Sequence, residues 1–177
     1  MSFSKEICQS FFDYKFKLNK GHDVVPAIYK LILRKRELYP AYFASIESRL
    51  ERATFYTTKR CEFFDVLETS LNSINLKSNK LLDDDEWLCV ACAFFIAEWI
   101  VRRSQCHSTF EEHMIFEKNV IDLLEAKIKE FGITTSEQWY FMVLTQNRRT
   151  IRPYKESPLD FTPYAIGALL LYLVQKI

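Results

Sequence analysis

Apolar residues recur every three or four positions along most of this chain, the period of a helix with one buried face. Ile7, Phe11, Tyr14 and Leu18 step by four, three and four, which predicts a first helix over Phe3–Leu18. The polar "NKGHD" ends it, with Gly21 as C-cap. Asp23 then reads as the N-cap of a second helix with Pro26 in its first turn, where a missing N–H costs nothing. Ile28, Leu31, Ile32 and Leu38 form its apolar face, and it ends before Pro40.

The longest periodic stretch follows. Phe43, Ile46, Leu50, Ala53, Thr57, Cys61, Phe64, Leu67, Leu71 and Ile74 run on with no Gly or Pro between them. They predict one helix over residues 40–76, about 35 residues and roughly 50 Å long. A break at the β-branched pair Thr57-Thr58 is the alternative, because such residues weaken a helix.

The linker "NLKSNKLLDDDE" closes on a capping-box pattern, Asp83 with Glu86. It opens "WLCVACAFFIAEWIV", Trp87–Val101, which Arg102-Arg103 terminate. Acidic residues before a helix and basic residues after it complement the helix dipole, so these flanks are ordinary punctuation. Ser108 or Thr109, with Glu111 or Glu112 three residues on, starts another helix. Its predicted buried face is Phe110, Met114, Ile121, Leu124, Ile128 and Phe131, and Gly132 closes it. Thr134 with Glu137 caps "SEQWYFMVLTQ"; the polar "NRRTIRPYKESPLD" follows, and Thr162-Pro163 starts a final helix.

No stretch alternates with the period of a strand, and no internal repeat is present. The pattern predicts an all-α, single-domain helical bundle of about seven helices spanning residues 1–177. Residues 87–103 form its centre, because a helix apolar on all sides must be surrounded by others. Ala91, Ala93 and Ala97 let those neighbours approach closely.

Composition agrees with this picture: 49% of the 177 residues are hydrophobic, with only three Gly and five Pro, which suits long helices joined by few loops. Trp87–Val101 is about 22 Å long as a helix, short of the roughly 20 residues that a bilayer core needs. Tyr164–Val174 is shorter still, so both read as buried helices and no membrane association is expected. The N-terminus "MSFSKEICQSFFDYKFK" has no apolar signal core. The five Cys sit in apolar company, which suits a reducing, cytoplasmic setting.

The net charge of +1 lacks the bulk basicity of a protein that coats nucleic acid. It is unevenly spread: residues 1–60 hold 12 Lys+Arg and 6 Asp+Glu (+6), leaving 12 and 17 (−5) for residues 61–177. Two basic clusters carry aromatics: Arg34, Lys35 and Arg36 near Tyr39 and Tyr42, and Arg148, Arg149, Arg152 and Lys155 around Tyr154. They are the candidate partner-binding residues, and an acidic protein partner suits them.

Candidate chemistry is sparse. Glu98 is the one charge within Trp87–Val101; a buried carboxylate must be paired, hydrogen-bonded or protonated, and Arg102 follows at i+4. Glu98, Trp99 and Arg102, with Trp87, define a candidate core pocket. Cys89 and Cys92 form a CxxC with Cys106-His107 downstream, but in mid-helix rather than in a zinc knuckle, and read as buried thiols. His22-Asp23 lacks the upstream His of the metal phosphohydrolases that use that pair. No Glu precedes His22, His107 or His113 by three residues, as di-iron bundles require. No phosphate loop can be built on Gly21, Gly132 and Gly167, and no nucleophile elbow is present. No catalytic residue, metal or cofactor is therefore assigned.

These features predict a non-enzymatic helical interaction module that binds and neutralises or regulates a protein partner, of the kind exemplified by toxin-neutralising immunity proteins and inhibitors. An enzyme or small-ligand receptor with a pocket around Glu98 is one alternative. A nucleic-acid binder using the Arg148–Lys155 loop is the other, although no nucleic acid is expected from the near-neutral charge.

Overall fold

The computed structural model describes residues 2–16, 22–74, 86–105 and 110–149. Among them are seven helices and no strand: α1 (Phe3–Phe16), α2 (Val25–Leu38), α3 (Pro40–Thr54), α4 (Arg60–Asn72), α5 (Glu86–Ser104), α6 (Phe110–Glu130) and α7 (Ser136–Arg149). α1 to α6, and α7 as far as Asn147, belong to one compact unit, Met1–Asn147. The helix predicted from Thr162, and with it the extension of the domain to residue 177, lies outside the described residues, as do the predicted caps Gly21, Asp83, Ser108 and Thr109.

The stretch predicted as one helix is two helices over its described part, residues 40–74, and the break falls at residues 55–59 around Thr57-Thr58. The apparent continuity of the apolar period across it is accidental. Ala53 and Cys61 are exposed, and the buried stripe runs Leu50, Thr54, then Phe63, Leu67 and Leu71. At the turn Glu62 reaches back so that its carboxylate accepts the backbone N–H of Thr58 and of Lys59, each at 3.3 Å, satisfying two donors at the start of α4. The entry to α2 also differs from expectation. His22, and not Asp23, holds it: its carbonyl accepts from Val25 N–H at 2.8 Å and its Nδ1 from Val24 N–H at 3.2 Å.

α5 sits at the centre. α1 packs on α2, α2 on α3, α3 on α4, α4 on α6, and α6 back on α1, which closes a ring of five helices. α5 fills it, touching α2, α3, α4 and α6, and it meets α1 where the Phe11 and Phe94 rings lie 4.7 Å apart. Val90, Ala91, Ala93, Phe94 and Ala97 of α5 are wholly buried. The helix is not enclosed all round, however. Trp99 and Glu98 are only partly covered, and Arg102 and Arg103 are exposed.

The buried face of α6 is Phe116, Val120, Ile121, Leu124, Ile128 and Phe131. Met114, predicted to be inside, is exposed, and the buried face runs from Phe116, two residues on. Tyr14 of α1 is likewise exposed, and Ile7, Cys8, Phe11 and Phe12 make the contact instead.

α6 ends as predicted at Gly132, whose φ of +82° is a left-handed conformation that disfavours a side chain. Gly132 N–H bonds to Lys129 C=O at 2.9 Å and Ile133 N–H to Ile128 C=O at 3.3 Å, the paired bonds of a Schellman motif. The cap of α7 is Thr135 with Gln138, one residue later than the predicted pair. Gln138 Oε1 accepts Thr135 N–H at 3.0 Å, while Thr135 Oγ1 accepts Gln138 N–H at 3.4 Å. α7 is anchored by Trp139, wholly buried, whose Nε1–H donates to Ser4 Oγ at 3.2 Å; Ser4 in turn donates to Ile133 C=O at 3.2 Å. No helix among the described residues is long and apolar enough to cross a membrane.

Candidate functional site

The exposed face of α5 opens onto a groove of about 610 Å³. Phe95, Glu98, Trp99, Arg102 and Arg103 line one side, at the i, i+3, i+4, i+7, i+8 spacing of a single helix face. Tyr29, Ile32, Leu33 and Arg36 of α2 line the other, again on one face, and Glu47 of α3 closes one end. α2 and α5 run antiparallel here. The guanidinium of Arg36, late in α2, lies 5.3 Å from the centre of the Phe95 ring, while the Tyr29 phenol, about two turns earlier, feels Glu98 and Arg102.

The floor is apolar, with Ile32 and Phe95 buried, and Leu33 stands out at 59% exposure. The charges form two pairs. Glu98, with its side chain 13% exposed, accepts a 2.5 Å bond from Arg102, which is 61% exposed. Arg36 and Glu47 approach to 3.9 Å, both about half exposed. Arg103 has no ion-pair partner among the described residues. Three guanidiniums thus face two carboxylates, for a net +1. Burial pushes the Tyr29 phenol well above its ordinary value, the Glu98 carboxylate adds to this, and Arg102 opposes it. Tyr29 therefore stays neutral and serves as wall, its ring stacked on Phe11 at 4.8 Å.

The groove brings Glu98, Trp99, Arg102 and Arg36 together. It leaves out Trp87, which lies at the other end of α5 with its ring 6.0 Å from Trp139. The triplet Arg34-Lys35-Arg36 does not form one patch. Successive helical residues point about 100° apart, and here Lys35 is buried, Arg34 half-buried and only Arg36 exposed. Of the second basic cluster, Arg148 and Arg149 close α7 with side chains outside the described set, and Arg152 and Tyr154 lie outside the described residues altogether.

Cys89 and Cys92 are buried on α5, and Cys106 and His107 lie outside the described residues. No group of three His, Cys, Asp or Glu side chains among the described residues could hold a metal ion. Within the groove the only carboxylates are held by arginines, and no nucleophile stands beside a base. The arrangement suits binding: an apolar floor takes a hydrophobic group and the arginines take an anionic one.

Leu33, Tyr29 and Glu47 escape a reading of the sequence. Ile28, Leu31 and Ile32 mark α2 as amphipathic, and Leu33 looks like one more apolar residue beside that face. The available signal is on α5, where Glu98, Arg102 and Arg103 share one stripe with Trp99.

Comparison of the chain with protein-family models, with curated proteins and with solved structures returned no match.

Proposed function

We propose that the protein is a non-enzymatic helical interaction module that binds a protein partner, and neutralises or regulates it, through the groove between α2 and α5. The observation that supports this reading is the composition of the groove over the central helix. Trp99, Tyr29 and three arginines gather there, the residue types that dominate binding energy at protein interfaces. Leu33 is an exposed apolar side chain at its edge, available to be covered by a partner.

The test is site-specific photo-cross-linking in cells of the native source. A cross-linking residue in place of Leu33 captures one protein in defined stoichiometry. The same residue in place of Ile115, equally exposed but in the hollow between α4 and α6, does not. Equal capture from both positions, or none from Leu33, overturns the proposal.

A second reading has one observation in its favour. A volume of about 610 Å³ falls within the roughly 300–1,000 Å³ range of small-molecule sites. On that reading Glu98 is the recognition group of a ligand receptor, and replacing Glu98 by Gln separates the two.

A further inference from the structure

The dimensions and charge of the groove narrow the kind of partner. Tyr29 to Arg36 and Phe95 to Arg103 each cover about two helical turns, roughly 10–12 Å. The walls are two antiparallel helices, and the space between such a pair is where the ridge of a third helix packs. The floor of Ile32 and Phe95 accepts apolar side chains spaced one turn apart.

The cations stand above this floor. Arg102 meets Glu98 through a guanidinium nitrogen at 2.5 Å while its side chain is 61% exposed, so further donors of its five face outward. Arg36 stacks on Phe95 and meets Glu47 only at 3.9 Å. Arg103 adds a third guanidinium. The lining of the groove therefore carries a positive balance of its own, three guanidiniums against two carboxylates. We propose that the occupant of the groove is an acidic amphipathic helix of a protein partner, with its apolar ridge on Ile32 and Phe95 and its carboxylates on Arg103, Arg102 and Arg36. This rests on the groove being the interface proposed above and adds the chemistry of what fills it.

Two synthetic helical peptides test it: one with Leu at i, i+3 and i+7 and Glu at its flanking positions, and the same peptide with Lys for Glu. Fluorescence anisotropy of the labelled peptides on the intact protein reads the affinity. The Glu peptide binds about tenfold or more tightly than the Lys peptide, and added salt weakens it. Arg103→Glu reverses the order of preference. Arg103 is exposed, so this variant folds, as circular dichroism checks.

Equal affinity for both peptides would reduce the site to an apolar surface and overturn the proposal. So would indifference of the Glu peptide to Arg103→Glu, or no binding of either peptide. Binding of dodecanoate with no binding of the Glu peptide would assign the groove to a small anionic amphiphile. If peptides fail while the Leu33 cross-link still captures a protein, the partner's chemistry is wrong and the interface stands. If the Leu33 cross-link fails as well, both readings fall.

Discussion

Replacing Glu98 by Gln separates a structural carboxylate from a recognition group. Stranding one member of a fully buried ion pair costs about 3–5 kcal/mol, whereas an exposed i,i+4 pair on a helix is worth about 0.3–0.5 kcal/mol. The pair here is lopsided. Glu98 is 13% exposed and Arg102 61% exposed, at 2.5 Å. Because the guanidinium is mostly in water, losing its partner strands no charge, and solvent screens most of the attraction. Gln keeps the shape of Glu and an acceptor oxygen towards Arg102. The expected cost is about 1 kcal/mol or less, which for a chain of this size lowers the melting temperature by about 2–4 °C. The assay is urea and thermal unfolding of both forms, beside their binding of the acidic peptide. The substitution raises the net charge of the groove from +1 to +2, so that binding holds or tightens. A stability loss above about 3 kcal/mol would mean that Glu98 is a buried structural charge. Loss of peptide binding with stability intact would make Glu98 a recognition group and refute the placing of the partner's carboxylates on the arginines.

Other consequences follow from the packing. Ser4→Ala removes the hydroxyl that bridges Trp139 Nε1–H and Ile133 C=O, leaving a buried donor and a buried acceptor unmet. It costs about 2–3 kcal/mol in urea melts, and the loss shrinks in a Trp139→Phe background; full additivity would refute the bridge. Gly132→Ala costs about 1–2 kcal/mol from the left-handed φ alone, since nothing lies within 4 Å of the added Cβ. Burial pushes the Glu125 carboxyl up, but hydrogen bonds from Lys129 and Ser2 outweigh it and hold the group below its ordinary 4.5. A carboxylate lowered by folding stabilises above its unfolded value, and that stability is lost as pH falls through the folded value. The difference between wild type and Glu125→Gln is therefore full at pH 7 and shrinks below pH 4.5; a difference that is flat across this range would exclude the linkage. Among the described cysteines, Cys61 is exposed while Cys8 is buried with its thiol pushed far up by burial, so maleimide labels Cys61 first; equal rates would contradict the burial.

Most of the fold is legible in the sequence because helices announce themselves locally. The three-and-four spacing, Pro40 before α3 and Gly132 after α6 are properties of neighbouring residues. What is not legible is set by tertiary contact. Thr134 with Glu137 and Thr135 with Gln138 are equally good capping pairs on paper, and the second is the one that forms. The apolar run through residues 40–76 keeps its period across a turn because Ala53 and Cys61 happen to continue it, although both point outward. At the site, the sequence places Glu98, Trp99 and Arg102 on one face of α5. It cannot show that α2 and α3 leave that face open, or that Tyr29, Leu33, Arg36 and Glu47 come from outside to complete the groove. Three consecutive basic residues look like a patch, yet the helix turns Lys35 into the protein and only Arg36 towards the groove.

Native mass spectrometry of the protein isolated gently from its own source, as wild type and as Leu33→Glu, tests most directly whether the groove is a protein interface. Leu33 is 59% exposed, so the substitution alters the groove and not the core. If it is, the wild type carries a stoichiometric protein partner that is lost from the variant. A wild type carrying only a small molecule, or a partner retained by Leu33→Glu, would contradict it.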